Sequence, residues 1–175
     1  AKIVRELQHM SMSLRMVPLK TIFRKMPRLA RDLARQLEKE ITFVTQGEHT
    51  EIDRNMVDMV SDPLIHIVRN ALGHGIETPD IREKNGKPRY GTVELSAYHS
   101  AGNVIMEVKD DGQGLNRDQI LVKALEKGFI RNIHDSEGRP MSDEEVFNLI
   151  FEPGFSTTES LSDLSGRGVG MDVVK

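Results

Sequence analysis

Imidazole, amide and guanidinium side chains recur between positions 63 and 77 at spacings that suit one face of a helix. Helical residues advance by roughly 100° each, which places the polar groups together. The polar side carries His66, Arg69, Asn70, Gly73, His74 and Glu77. The opposite side carries Val57, Val60, Leu64, Ile67, Val68, Ala71 and Leu72, an ordinary core face. Imidazoles and an amide favour metal, phosphate or proton chemistry, although a polar surface with two incidental histidines explains this helix alone equally well.

A glycine-rich segment near the end of the sequence suits an anion. Gly166, Gly168 and Gly170 alternate just before a predicted helix. Glycine lets backbone N–H groups approach a phosphate, and a helix N-terminus adds unpaired donors and the positive end of the dipole. The segment is neither a dinucleotide-binding fingerprint, because Met171 replaces the last glycine, nor a Walker A loop. A flexible turn remains the alternative for this segment alone.

A second cluster, Asp110-Asp111-Gly112-Gln113-Gly114, follows a predicted strand. A carboxylate in this position can accept a hydrogen bond from an exocyclic amine such as that of adenine, and the glycines leave space for a flat ring. A simple turn is the alternative. An EF-hand is excluded, because no ligand series ending in Glu at the twelfth position follows.

Several helices are predicted to position these groups. Residues 2–17 carry a short heptad seam. It indicates either the end of a longer coiled coil or helical hairpin that dimerises the parent protein, the option we favour, or an amphipathic helix packed on the domain. Residues 19–39 form a second helix that Pro27 should kink or split. Asp53 is a plausible N-cap for the polar helix. Further helices are expected at 116–128 and 143–150, the latter with a Ser142/Glu145 capping box.

The β signals lie on both sides of a polar segment. Residues 41–45 resemble a strand, and 78–88 a surface loop. Alternation at Val93, Leu95 and Ala97, and then at Val104, Met106 and Val108, predicts a hairpin closed by residues 100–103. The expected fold class is therefore α+β, with helices layered on an antiparallel or mixed sheet.

Composition narrows the class of protein. The 175 residues carry a net charge of −3, which gives no electrostatic case for nucleic acid or an anionic membrane. Cysteine is absent, so disulfides and thiol catalysis are excluded. No apolar run approaches the roughly 20 residues of a membrane span. The expectation is a cytoplasmic protein.

Taken in order, four segments resemble the N, G1, F and G2 boxes of the GHKL superfamily, the ATP-binding fold of histidine kinases, gyrase, Hsp90 and MutL. They are residues 66–77, 110–114, 151–157 and 165–174. Within that superfamily the match is to chemotaxis histidine kinases of the CheA type, and it extends upstream over residues 15–19 and 28–34. The resemblance implies a Bergerat-type fold whose C-terminal strands are missing here. It also implies a linker or dimerisation helix at 1–18 and a catalytic domain at 19–175.

The resemblance assigns roles to individual residues. Asp110 would bind the adenine amine, with Gly112 and Gly114 shaping the pocket. Asn70 would ligate Mg²⁺ on the ATP phosphates, with His66 as the catalytic base or a second neighbour of the metal. The remaining ATP-binding residues would be Arg69, His74, Gly166, Gly168, Val169 and Gly170. The lid would span 152–170.

The same resemblance implies partners outside this sequence. The γ-phosphoryl group of ATP would pass to a histidine on a separate histidine phosphotransfer domain. Response regulators, a coupling protein and chemoreceptors would follow in the pathway. The parent kinase would be a homodimer, held at membrane receptor arrays through its partners without inserting into the membrane.

One position departs from the family pattern. Gly73 stands where kinases of the CheA type usually have Asp, and the change removes a carboxylate from the ATP-facing side. We therefore expect reduced kinase activity with adenine binding intact. The alternative function is a nucleotide-binding regulatory or scaffold module that has lost catalysis. A gyrase-like ATPase is disfavoured, because His66 replaces the Glu that activates water in those enzymes.

Overall fold

A computed structural model describes residues 15–134 and 138–155, and the chain divides into two compact units, Ala1–Gln113 and Gly114–Lys175. The first unit contains β1 (Met16–Pro18), α1 (Lys20–Gln36), β2 (Ile41–Gln46), β3 (Glu51–Asp53), α2 (Arg54–Asn70), a π-helical turn (Ala71–Gly75), α3 (Pro79–Lys84), β4 (Gly91–Ser100) and β5 (Asn103–Asp110). The second contains α4 (Arg117–Glu126), α5 (Asp143–Asn148) and a 3₁₀ turn (Leu149–Phe151). No helix among the described residues is both long and apolar enough to cross a membrane.

The main sheet has three strands in the order β2-β4-β5 and is mixed. β2 runs parallel to β4, and β4 runs antiparallel to β5. The predicted hairpin between β4 and β5 is confirmed. Ala101 and Gly102 both have positive φ, 48° and 82°, as a two-residue turn matched to the strand twist requires. The α+β fold class is also confirmed.

The core of the first unit lies between one face of this sheet and helices α1 and α2. The alternating residues Val93, Leu95 and Ala97 of β4 are buried, as predicted. The helix residues buried in the same cluster are Ile22, Phe23, Met26, Ala30, Leu64 and Val68. Apolar burial of this kind is the main force that holds the end of α2 in place relative to the sheet.

A two-stranded ribbon anchors the starts of both long helices. β1 pairs antiparallel with β3, and Met16 lies opposite Asp53. The prediction of a helix through residue 17 is therefore wrong at its C-terminal end, because Met16–Pro18 pairs as a strand. The remainder of that predicted helix lies mostly on residues 1–14, outside the described residues, and the domain boundary at 18 stays a prediction.

Helix α1 continues through Pro27 as a single element, so the predicted split does not occur. Helix α2 begins at the predicted cap, where the Asp53 carboxylate accepts a hydrogen bond from the Asn55 N–H at 2.9 Å. The expected surface loop at 78–88 is partly wrong, since it contains α3. Thr78 and Pro79 carry the signal for that helix, a cap position followed by proline in the first turn.

The second unit is a small helical cluster. Asn116 caps α4, and the predicted Ser142/Glu145 capping box of α5 is confirmed. The buried residues are Ile120, Leu121, Ala124, Val146 and Phe155. Phe155 also packs edge-to-face against Phe129, with ring centroids 5.4 Å apart. This packing fixes the start of the predicted lid within the second unit.

Candidate functional site

The end of α2 carries the first group of predicted site residues. His66, Arg69 and Asn70 are partly buried, and Asn70 is the last residue of the α-helix. The Nε2 atom of His66 is buried. His66 and Asn70 are four residues apart in regular helix, so their side chains are neighbours on one face.

The helix then changes form instead of continuing to Glu77. The Ile76 N–H donates to the Ala71 carbonyl at 2.7 Å, five residues back, which is the π-helical hydrogen bond. The predicted spacing of His74 from Asn70 is therefore not α-helical. His74 is exposed, and Glu77 is buried rather than part of the polar face. An α-helical wheel fails here because the π turn adds a residue.

The structure brings the predicted Asp110 cluster against this turn. The Gln113 N–H donates to the Gly75 carbonyl at 2.9 Å, and Gln113 Nε2 donates to the His74 carbonyl at 2.8 Å. Asp110 lies at the exposed end of β5, and its Oδ1 accepts the Gly112 N–H at 3.0 Å. The carboxylate is thus oriented by the backbone and still open to solvent.

Two glycines make this close approach sterically feasible. A Cβ atom added at Gly75 would lie 2.8 Å from Asp110 Oδ1, and one added at Gly112 would lie 2.1 Å from the Gly75 carbonyl oxygen. Real Cβ atoms essentially never approach other atoms this closely. Gly75 was not among the predicted site residues, although its place in the polar helix segment next to His74 was the available signal.

An ion-pair cluster that sequence reasoning missed lies beside residues 111–113, which follow Asp110 and form the Asp110 loop. The Arg82 side chain is only 1% exposed, and it contacts Glu77 at 3.1 Å and Asp111 at 2.9 Å. Lys87 Nζ donates to Glu77 Oε1 at 2.7 Å. Burial alone would raise the pKa of Glu77, but hydrogen bonds from Lys87 and from the backbone, with the charges of Lys87 and Arg82, lower it below its ordinary value.

Lys39, which follows α1, binds backbone carbonyls of the π turn. The N–H groups of Lys39 and Glu38 donate to Ala34 and Arg35 at 2.9 and 3.3 Å, which is the Schellman pattern at the end of α1. The motif requires a left-handed residue, and Glu38 adopts φ 54°. Lys39 Nζ then donates to the carbonyls of Leu72 and Gly73 at 2.5 and 2.9 Å. Burial lowers the pKa of Lys39, and the charge of Glu77 opposes part of this shift.

Several predicted site residues cannot be placed against this arrangement. Gly166, Gly168, Val169 and Gly170 lie outside the described residues, and so does most of the predicted lid at 152–170. Gly114 has φ 73° and opens the second unit. The structure therefore joins Asp110 and Gly112 to the end of the Asn70 helix, and the phosphate-binding glycines remain a prediction.

The arrangement suits a nucleotide base, and Asn70 offers one protein ligand for a metal ion. An oriented, exposed carboxylate beside two glycine backbones suits a flat ring with an exocyclic amine. Within residues 15–134 and 138–155, no three His, Asp, Glu or Cys side chains are placed to hold a metal. Magnesium in nucleotide sites is bound largely by phosphates and water, so the single amide of Asn70 is compatible with it.

The sequence comparison identifies the family to which the chain belongs. Residues 59–175 match the family described as "Histidine kinase-, DNA gyrase B-, and HSP90-like ATPase". The match covers more than half of the chain. The chain belongs to this family.

Curated relatives point to one branch of the family. "Chemotaxis protein CheA" of Bacillus subtilis is 49% identical over 97% of this chain, and that of Klebsiella aerogenes is 52% identical over 98%. The chain spans about a quarter of the length of each relative. In a comparison of structures, the chain superposes on the histidine kinase domain of a blue-light activated histidine kinase from Erythrobacter litoralis with a TM-score of 0.42 and 19% sequence identity. The superposition covers 58% of this chain and 45% of the other.

Proposed function

We propose that this chain is the ATP-binding catalytic domain of a chemotaxis-type histidine kinase. It would transfer the γ-phosphoryl group of ATP to a histidine on a separate histidine phosphotransfer domain. The observation that carries the proposal is the position of the Asp110 carboxylate. The Gly112 N–H orients it, and it packs directly against Gly75 in the turn that follows the Asn70 helix. The family description supports an ATP-dependent histidine kinase, and the names of the CheA relatives support the chemotaxis setting.

Each residue then has a role in the proposed reaction. Asp110 would accept a hydrogen bond from the adenine amine, and Asn70 would hold Mg²⁺ against the phosphates. Bound magnesium would neutralise charge that spreads over the transferring phosphoryl group. His66, one turn before Asn70, would act as the base or as a second neighbour of the metal. Arg69, His74 and the glycines at 166–170 would contact the phosphates.

The partners follow from the same proposal. The acceptor histidine, the response regulators, the coupling protein and the chemoreceptors would be reached through the larger kinase, a homodimer on the cytoplasmic side of receptor arrays. Gly73 favours one alternative, a nucleotide-binding scaffold module that has lost catalysis. The two functions predict the same pocket and differ only in transfer.

Calorimetric titration with Mg²⁺·ATP, followed by phosphotransfer to an added phosphotransfer domain of a CheA relative, tests the proposal. The Asp110→Asn variant should bind ATP at least 10-fold more weakly, because a hydrogen bond to a charged group is lost. Asp62→Asn, at an exposed position of α2, is the matched control. Binding with transfer supports the kinase, and binding without transfer favours the scaffold. Absence of ATP binding would contradict both.

A further inference from the structure

A lysine outside the family motifs, Lys87, binds backbone carbonyls of the Asp110 loop. Lys87 Nζ donates to the Gly112 carbonyl at 2.9 Å, the Asp111 carbonyl at 3.2 Å and Glu77 Oε1 at 2.7 Å. An ammonium group has three N–H donors, so these three acceptors use its full capacity. Two of them are backbone carbonyls of the residues that directly follow Asp110.

Gly112 links this lysine to the predicted base-binding carboxylate. Its N–H donates to Asp110 Oδ1 at 3.0 Å, and its carbonyl accepts from Lys87. Both sides of this short segment are therefore fixed by charged groups, and hydrogen bonds to charged groups are the stronger ones. A shift of the Gly112 carbonyl would move the N–H that orients Asp110.

Because Arg82 also pairs with Glu77, Lys87 can be substituted without unfolding this part of the chain. Glu77 keeps Arg82 as a partner at 3.1 Å, and Asp111 keeps Arg82 at 2.9 Å. Removal of Lys87 therefore leaves no buried carboxylate without a cation. The Lys87 side chain is 32% exposed, whereas that of Arg82 is 1% exposed. Truncation of Lys87 admits water, whereas truncation of Arg82 would remove a fully buried side chain and one of the two cations that pair with the buried Glu77.

We propose that Lys87 is a positioning residue for recognition of the nucleotide base. Its ammonium group fixes the backbone at Asp111 and Gly112, and this backbone holds the Asp110 carboxylate in the orientation that reads an exocyclic amine. This inference rests on the proposed function, because it assumes that Asp110 binds adenine. The ligand class is a 6-aminopurine nucleotide, as distinct from one with a carbonyl at that position.

Competition between ATP and inosine triphosphate tests the proposal, because the two differ only at the base edge that Asp110 would contact, where the 6-amino group becomes a carbonyl and N1 gains a proton. The wild-type chain should prefer ATP by about 10- to 100-fold, the range of a hydrogen bond to a charged group. Lys87→Met should reduce that preference severalfold, chiefly by weaker ATP binding. Lys87→Arg, which retains the charge, should restore part of it. Lys84→Met, at an exposed position three residues earlier, should match the wild type.

A measurement without nucleotide separates positioning from general stability. Amide hydrogen exchange at Gly112 and Gln113 should accelerate about 10-fold in Lys87→Met, because Lys87 no longer holds the backbone segment that carries these two N–H groups. Exchange at Leu95, in the buried strand β4, should stay unchanged. Lys87→Gln, which removes the charge but keeps one NH₂ donor group, should accelerate exchange less than Lys87→Met and serves as the second variant if the methionine variant does not fold.

Three results would overturn the proposal. An ATP preference in Lys87→Met equal to that of the wild type would show that the lysine does not position Asp110. Equal losses for both nucleotides, with faster exchange throughout β4, would assign Lys87 a purely structural role. A wild-type chain without any preference for ATP would contradict adenine recognition itself, and with it the proposed function. Only the first two results leave the proposed function intact.

Discussion

Replacing Gly73 with aspartate should increase phosphotransfer without disturbing the pocket. Nothing lies within 4 Å of a Cβ atom built at Gly73, and its φ is not left-handed. The contact made by this residue uses its backbone, since the carbonyl accepts from Lys39 Nζ at 2.9 Å. A side chain at position 73 can therefore be added without moving its neighbours.

The stability effect follows from helix propensity. Glycine in a helix costs about 1 kcal/mol relative to alanine, so Gly73→Ala should raise the free energy of unfolding by about 0.5–1 kcal/mol. For a chain of this size that is an increase of about 1–4 °C in Tm. Gly73→Asp should gain less, about 0.3 kcal/mol, because aspartate is a poorer helix former.

The rate effect separates the carboxylate from the backbone. One added hydrogen bond of a charged group, about 1.5 kcal/mol in the transition state, corresponds to about 10-fold in rate. Gly73→Asp should therefore transfer phosphate about 10-fold faster than Gly73→Ala, with similar ATP affinity. Urea unfolding and radiolabel transfer to an added phosphotransfer domain measure the two effects. Equal rates for the two variants would refute the idea that the missing carboxylate limits activity.

Three further changes probe the frame of the site. Glu38→Gly should raise Tm, because a non-glycine residue at φ 54° carries about 1 kcal/mol of strain; an unchanged Tm would contradict this. Gly112→Ala should weaken ATP binding at least 10-fold by calorimetry, since its Cβ would lie 2.1 Å from the Gly75 oxygen, whereas Gly73→Ala should not. As the pH drops below about 4.3, the ordinary pKa of a glutamate, the free energy of unfolding should decrease. The reason is that the pKa of Glu77 is lowered in the folded chain, so protonation favours the unfolded chain. Urea titrations of Glu77→Gln should show a smaller fall.

Features that depend on local sequence were predictable. The alternation at Val93 and Leu95 identified a strand with one buried face, and the caps at Asp53 and Ser142 were read correctly, because each depends on residues within three positions. The Asp110 cluster was placed at a strand end for the same reason. These signals are written in adjacent residues and need no tertiary information.

Features created by tertiary contacts were not predictable. Arg82 sits in a polar segment that reads as surface loop, yet its guanidinium is buried because Glu77 and Asp111 come together around it. Those carboxylates are five and twenty-nine positions away. The burial of a charge depends on partners that only the fold brings close, and no periodicity reports them.

The π turn explains why the candidate site forms at the end of α2. The last carbonyls of a helix have no partner within the helix, and here four in a row are bound from outside. Lys39 binds those of Leu72 and Gly73, and Gln113 binds those of His74 and Gly75. Two of these hydrogen bonds come from Lys39, which follows α1, and two from the loop after Asp110, so both segments are bound to the helix end. None of these bonds uses a side chain at position 73, and so the pocket can keep its form while the chemistry that a carboxylate there would support is lost.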